Sequence, residues 1–164
     1  MTGTVLAAAA GFAGTAALIA WLRRRYVVID VDGQSMRPTL DAGDRVLVRR
    51  RSLRHVRTGD IVVVENTTRQ GTDRRPSAAA RGRRGGSGHA WVIKRAAAVP
   101  GDPVPASLAA RVSAPAGTPV PDGRMLILGD NTTASFDSRH YGYLSGAGVL
   151  GVVIRRLKAP GKNG

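Results

Sequence analysis

Residues 26–33 read YVVIDVDG. Tyr, Val and Ile are side chains that suit a pleated, half-buried surface. The closing Asp-Gly is turn chemistry. The same arrangement recurs down the chain in DRVLVRR (44–50), GDIVVVEN (59–66), HAWVIKRAAAV (89–99), RMLILGD (124–130) and GVLGVVIRRL (148–157). Each run is short, rich in Val, Ile or Leu, and bounded by Gly, Pro, Asp or Asn. Short strands with turn signals between them predict a mostly β domain. No long amphipathic helix is expected after residue 25.

Upstream of that first strand the pattern changes. Residues 5–22, VLAAAAGFAGTAALIAWL, contain no charge over 18 positions. That is the lower end of what crosses a bilayer as a helix. Trp21 and Tyr26 are placed to sit at its interface. Arg23, Arg24 and Arg25 end the run. A cleaved signal peptide would carry a basic segment before its apolar stretch, and none precedes this one. A buried core helix is rarely so uniformly apolar. The segment is therefore expected to be one retained N-terminal transmembrane helix.

Two stretches interrupt the β pattern. Residues 66–88, NTTRQGTDRRPSAAARGRRGGSG, hold six arginines and almost nothing apolar. Such a stretch buries too little surface to offset its ordering entropy, which predicts a flexible basic insertion between two strands. Residues 103–122, rich in Pro and Ala, are expected to be irregular. No internal repeats occur. The expected organisation is an anchor with its basic stop over 1–25, a domain over 26–158 that carries the 66–88 insertion, and a tail over 159–164.

Composition narrows the function classes. The chain has 164 residues, enough for one domain, with 43% hydrophobic and 4% aromatic residues. Twenty-one Gly and nine Pro favour a loop-rich domain over a helical bundle. The formal charge of +14 points to a polyanionic neighbour, either nucleic acid or an anionic membrane surface. The absence of cysteine excludes a disulfide scaffold, a thiolate zinc site and a cysteine nucleophile. His55, His89 and His140 are scattered without metal-ligand spacing and read as surface residues.

Three segments hold chemistry. In Gly33-Gln34-Ser35-Met36-Arg37-Pro38-Thr39-Leu40, a serine follows a strand beside Gly and a Pro-containing turn. That context can expose a hydroxyl and its backbone N–H together, although alone it also fits a surface serine in a plain turn. In the strand around Lys94, alternation puts Ala90, Val92, Lys94 and Ala96 on one face and Trp91, Ile93 and Arg95 on the other. A lysine among small apolar neighbours loses hydration, so its pKa falls and its neutral amine can act as a base. The ordinary alternative is a strand-end lysine reaching to water. The third segment, residues 129–139 (GDNTTASFDSR), follows the strand MLIL and is dense in hydrogen-bonding groups. It can brace a site, or simply satisfy its own backbone.

Taken in order, these segments resemble the signature boxes of type I signal peptidases, a family of Ser-Lys serine peptidases. Residues 33–40 look like the nucleophile box. Lys94 and Arg95, with Pro100, Gly101 and Asp102, look like the general-base box. Residues 129–139, with Gly142, look like the last box, and residues 59–62 are similar to an intervening strand motif. The resemblance covers nearly the whole chain, and three ordered motifs are more specific than any one. It implies a small, mostly antiparallel, barrel-like β domain behind the membrane helix. It makes Ser35 the nucleophile and Lys94 the general base, and matches Ser135 to a serine that orients the lysine amine. It also implies an Asp137–Arg139 ion pair near the site and an Arg95–Asp130 pair that fixes the base strand. Met36 joins the supporting set as the residue that follows the nucleophile.

The chain departs from the family at several points. Some members place a serine two residues before the nucleophile, where it adds a hydroxyl to the oxyanion hole. Here that residue is Gly33, which leaves backbone N–H groups as donors. Thr132 stands where an Arg is common. The stretch between the second and third boxes is short, so the large cap domain of some relatives is absent. The 66–88 insertion is not matched to any of the family's boxes.

The reaction implied is removal of signal or leader peptides from exported preproteins through an acyl-enzyme. No cofactor or metal is required. The implied partners are preproteins and membrane lipid, with no nucleic acid, and the chain is expected to act as a monomer. The positive-inside rule applied to Arg23–Arg25 would put the domain in the cytoplasm. The resemblance implies a single-pass cell-membrane protein with its domain on the extracytoplasmic side. Two alternatives belong to other classes. A self-cleaving repressor-type Ser-Lys peptidase would carry a DNA-binding helix-turn-helix in place of the apolar segment and would lack the Asp-Ser-Arg box. A non-enzymatic basic module would bind nucleic acid through the arginine-rich stretch, with salt-dependent affinity.

Overall fold

The computed structural model describes residues 2–65 and 91–157, with side chains from residue 14 onward. Helix α1 (Thr2–Arg25) runs directly into β1 (Tyr26–Asp30). There follow β2 (Arg45–Arg50), β3 (Ile61–Glu65), β4 (Trp91–Ala98), α2 (Ala106–Val112), β5 (Arg124–Leu128), α3 (Ser138–Tyr141), β6 (Leu144–Ser145) and β7 (Val149–Leu157). All six runs that read as strands form strands. The short β6, which pairs Leu144 with Met125, is an addition.

The strands make one antiparallel sheet in the order β1-β2-β7-β3-β4-β5-β6. It is an open, curled half-barrel, which gives the barrel-like expectation its form. Its curvature coincides with register shifts at Leu47/Val48, Val63/Val64 and Ala96/Ala98. An extra residue on one strand bends it and raises its twist.

The sheet is covered on both faces, and the sequence of β3 shows why. Val62 and Val64 lie in one apolar cluster with Val56, Ala96, Met125 and Ile127. Val63 points the other way, into a cluster with Val31, Met36, Leu40, Val46 and Val48. A strand buried on both faces needs an unbroken apolar run, and IVVV supplies it.

Residues 103–122 are not wholly irregular. Ala106–Val112 form α2, whose Leu108 is buried with Ala98, Val104, Val120 and Leu126. Alanines favour the helix, one leucine anchors it, and Ser113 ends it in a left-handed conformation at φ 53°. Surrounding prolines mask so short a helix in the sequence.

Three expectations fall partly or wholly outside the described residues. The expected transmembrane helix over 5–22 lies inside α1, but half of its side chains, those of residues 5–13, are not described. Among the described residues no helix is long and apolar enough to cross a membrane. The 66–88 insertion and the 159–164 tail are likewise outside. The strands flanking the insertion do pair, with Glu65 opposite Trp91.

Candidate active site

Lys94 sits in the middle of β4, opposite Val62 of β3. Its strand neighbours Val92 and Ala96 pack into the first apolar cluster, as alternation predicts. The lysine is only 5% exposed. Burial lowers the pKa of its amine; Asp137 opposes the shift and Arg139 adds to it. The snorkelling alternative fails, because Nζ turns inward and donates to Ser135 Oγ at 2.8 Å.

Ser135 is itself held. Its hydroxyl donates to Asp137 Oδ2 at 2.6 Å. That carboxylate is fully buried and accepts at the same oxygen from the Gly129 N–H (2.8 Å) and Arg139 Nη2 (2.6 Å). Its other oxygen takes Arg139 Nε at 3.0 Å. Burial acts to raise the Asp137 pKa, but the guanidinium and the other donors outweigh it and bring it down to about 2. Asp137 also caps α3, accepting from the Arg139 N–H, while its own N–H donates to His140 Nδ1. His140 stacks on Phe136 with ring centroids 4.6 Å apart.

Ser35 lies in the connection between β1 and β2. Met36 turns into the second apolar cluster at 1% exposure and anchors the turn from below. The Ser35 carbonyl accepts from the Asn131 N–H at 3.0 Å, which ties this turn to the 129–139 loop. Gly129 is where the two meet. A Cβ there would lie 2.2 Å from Ser135 Oγ and 2.7 Å from the Ser35 carbonyl oxygen. The Ser35 hydroxyl forms no hydrogen bond with any described residue, so the structure does not join Ser35 directly to Lys94. The Ser35 N–H is also without an acceptor among the described residues. Gly33 adopts φ +89°, a conformation that suits glycine, and its would-be Cβ faces open space.

The flanks are clamped by charge. Arg95 makes a bidentate pair with Asp130, at 2.8 and 2.6 Å, and donates to the Gly59 carbonyl. The guanidinium holds the Asp130 carboxyl below the usual range. Thr39 Oγ1 donates to the same carboxylate at 2.5 Å. On the other side, Arg156 donates to the Thr39 carbonyl and bridges Asp41 and Asp44. Thr58 donates to Asp102, whose carboxylate also accepts from the Val99 N–H, so the 100–102 turn is braced against the one before β3.

The structure thus brings together Lys94, Ser135, Asp137 and Arg139, and puts Ser35 against the same glycine. Both ion pairs implied by the resemblance are formed. Sequence reading missed Thr39, Asn131 and Arg156 as tethers, Gly129 as the point of close approach, and Ser138, whose buried hydroxyl accepts from the Ile127 N–H. Only Gly129 had a signal, a glycine directly after a strand. His140, read as a surface residue, is partly exposed yet helps cap α3.

No curated protein matches the chain. The family described as signal peptidase, peptidase S26, matches it over residues 5–113 and 106–157, a span that holds every residue of the site, and the chain belongs to that family.

Proposed function

We propose that the chain is a serine endopeptidase that removes signal peptides from exported preproteins, with Ser35 as nucleophile and Lys94 as general base. The observation that carries this reading is the direction of the Lys94–Ser135–Asp137 chain. Asp137, with its pKa near 2, is an ionised acceptor. Ser135 therefore gives its only proton to Asp137 and can meet Lys94 only as an acceptor. That bond uses an N–H of the amine, so the lone pair of neutral Lys94 stays free for the proton of Ser35.

The reaction follows from that arrangement. Ser35 Oγ attacks the scissile carbonyl carbon while its proton passes to Lys94 Nζ. The Ser35 N–H stabilises the oxyanion from the backbone, since Gly33 brings no hydroxyl. Collapse of the tetrahedral species breaks the C–N bond, and the leaving amine takes the proton from Lys94. Water then attacks the acyl ester as Lys94 accepts its proton; the C–O bond to Ser35 breaks, Lys94 returns the proton to Ser35 Oγ, and the carboxylic acid leaves. Asp137 and Arg139 neutralise each other and hold Ser135 in its accepting role. Asp130 and Arg95 fix β4 against the nucleophile turn.

We further place the protein in the cell membrane, anchored by α1, with the domain on the extracytoplasmic side. The uncharged run over 5–22 and the exposed Trp21 support the anchoring, and the side is taken from the family.

The test is cleavage of a preprotein with an Ala-x-Ala site by the purified full chain and by Ser35→Ala. Wild type should release the mature protein, and the variant, with unchanged circular dichroism, should not. A variant that cuts at the wild-type rate would remove Ser35 from the reaction.

A further inference from the structure

Plain strand alternation would not put Arg156 on the nucleophile turn. On β7, Val153 pairs with Val48 of β2 and Arg155 pairs with Leu47, so Ile154 is an extra residue with no partner on β2. This bulge leaves Ile154 exposed and moves every later residue by one register position. Arg156 therefore stands opposite Val46, and directly opposed residues share a face of the sheet. That face carries Met36 and Leu40, which pack with Val46 beneath the turn. In an unbulged ladder Arg155 would stand there instead. Bulges beside functional sites often re-aim a side chain in this way.

The re-aimed guanidinium meets three acceptors within residues 39–44. Nη1 donates to the Thr39 carbonyl at 3.2 Å, Nη2 to Asp41 Oδ2 at 3.2 Å and Nε to Asp44 Oδ2 at 2.8 Å. Asp44 is buried, and the same oxygen accepts from the Asp41 N–H at 2.7 Å. Thr39 is gripped from a second side, because its hydroxyl donates to Asp130, which Arg95 of β4 holds. A continuous polar chain, Arg95–Asp130–Thr39–Arg156, thus runs from the strand of Lys94 to β7 through the nucleophile turn. The bond from the Leu40 N–H to the Met36 carbonyl, at 2.9 Å, carries that anchorage back to the residue after Ser35. The Ser35 hydroxyl has no partner of its own among the described residues, so the mounting of its turn sets its distance from Lys94.

We propose that Arg156 is a positioning residue: it fixes the nucleophile turn on the end of β7 and so sets the approach of Ser35 Oγ to Lys94 Nζ. The consequence for rate rests on the peptidase reading. Arginine suits the task because its planar fork serves a carbonyl and two carboxylates at once, whereas a lysine ammonium is a point charge on a flexible stem.

The chain has no cysteine, so Ser35→Cys places a single thiol at the nucleophile position. Alkylation by iodoacetamide, followed against pH in the full chain, reads its thiolate. A neighbouring ammonium brings a thiol pKa below the ordinary value of about 8.5. The Ser35→Cys thiol should titrate below that value and return to it when Lys94→Met is added. Adding Arg156→Gln in place of Lys94→Met should move it most of the way back, because the turn drifts from the amine. With Ser35 intact, Arg156→Gln should lower kcat on a peptide substrate on the order of 10²-fold, the cost of about 1 Å of misplacement, with KM unchanged. Arg156→Lys keeps the charge that Asp44 needs. It should hold the wild-type unfolding midpoint yet show a smaller loss of kcat and a smaller shift of the thiol. Arg155→Gln removes the same charge from the opposite face and should change neither readout. A thiol pKa and a kcat that stay at the parent values in both Arg156 variants would overturn the proposal. So would a fall in kcat that follows the unfolding midpoint while the thiol pKa stays put, since Arg156 would then be a structural residue only. A thiol that ignores Lys94→Met would instead sink the peptidase reading, and the positioning role with it.

Discussion

At the scale of single residues, Lys94 decides the chemistry. An ordinary lysine with a pKa near 10.4 is neutral in only about one molecule in 2,500 at pH 7. Burial shifts Lys94 toward the neutral form, against the pull of Asp137. Asp137 is already bound on both oxygens by Arg139, so its charge is largely met and desolvation prevails. Hydrolysis should therefore rise with pH along a limb that reports Lys94 in the free enzyme, and be fastest on the alkaline side. Lys94→Arg should lose at least about 10³-fold in kcat/KM, since a guanidinium stays protonated. A pH–rate profile of both proteins on a peptide substrate checks this, and an Arg variant as fast as wild type would end the Ser-Lys reading. Asp137 has a second effect, on stability. Its folded pKa of about 2 lies below the ordinary 3.8, so the unfolded chain binds the proton more readily. Its contribution, on the order of 2 kcal/mol, is full above pH 3.8 and is lost as pH falls toward 2. Urea unfolding of wild type and Asp137→Asn from pH 7 to pH 2 should show the difference between them shrinking over that interval.

At the scale of elements, the site is a contact between two loops. The 31–44 connection presents Ser35, and the 129–137 segment presents Ser135 and Asp137. They touch at Gly129, whose missing side chain lets Ser135 Oγ and the Ser35 carbonyl approach the same Cα. Gly129→Ala would force a methyl to within 2.2 Å of Ser135 Oγ and 2.7 Å of backbone. One of the loops must then move. A displacement of about 1 Å at a catalytic group costs on the order of 10²-fold in rate, and overpacking costs about 1–3 kcal/mol in stability. The expected result is a folded variant with kcat down about 100-fold and a lower unfolding midpoint. Unchanged kcat would show that the two loops are not in register through this glycine. Such contacts explain what the sequence could not disclose. Lys94, Ser135 and the two Asp–Arg pairs were legible because motif order and strand alternation fix them. The Arg156 tether was not, because Arg156 and Thr39 stand far apart in the chain and only the β2–β7 pairing brings that end of β7 beside the nucleophile turn. Helix α2 was hidden by the prolines around it, and β6 by having two residues.

At the scale of the whole molecule, the six strand runs specified a mostly β domain, but not whether the sheet would close. Closure depends on bulges and strand order, and neither leaves a mark in hydropathy. The same sheet bears on the arginine-rich stretch over 66–88. It enters after Glu65 and returns before Trp91, and those two residues face each other across the β3–β4 ladder. The ladder continues through Val64–Val92, Val63–Ile93 and Val62–Lys94 to Ile61–Arg95. Val62, Val63 and Val64 are fully buried, and β3 is also paired to β7 on its other side. The base strand is therefore held by its neighbours and its core, whatever connects its ends. Replacing residues 66–88 by a short Gly-Ser turn should leave Lys94 in place and peptide hydrolysis in detergent within about twofold of wild type. Stability should rise slightly, because each halving of a loop recovers about 0.6 kcal/mol of closure entropy. Thermal unfolding and a peptide assay on the shortened chain measure both. Loss of hydrolysis with an unchanged unfolding midpoint would make that stretch part of the active site. A lowered midpoint would mean that the ladder alone does not hold β4.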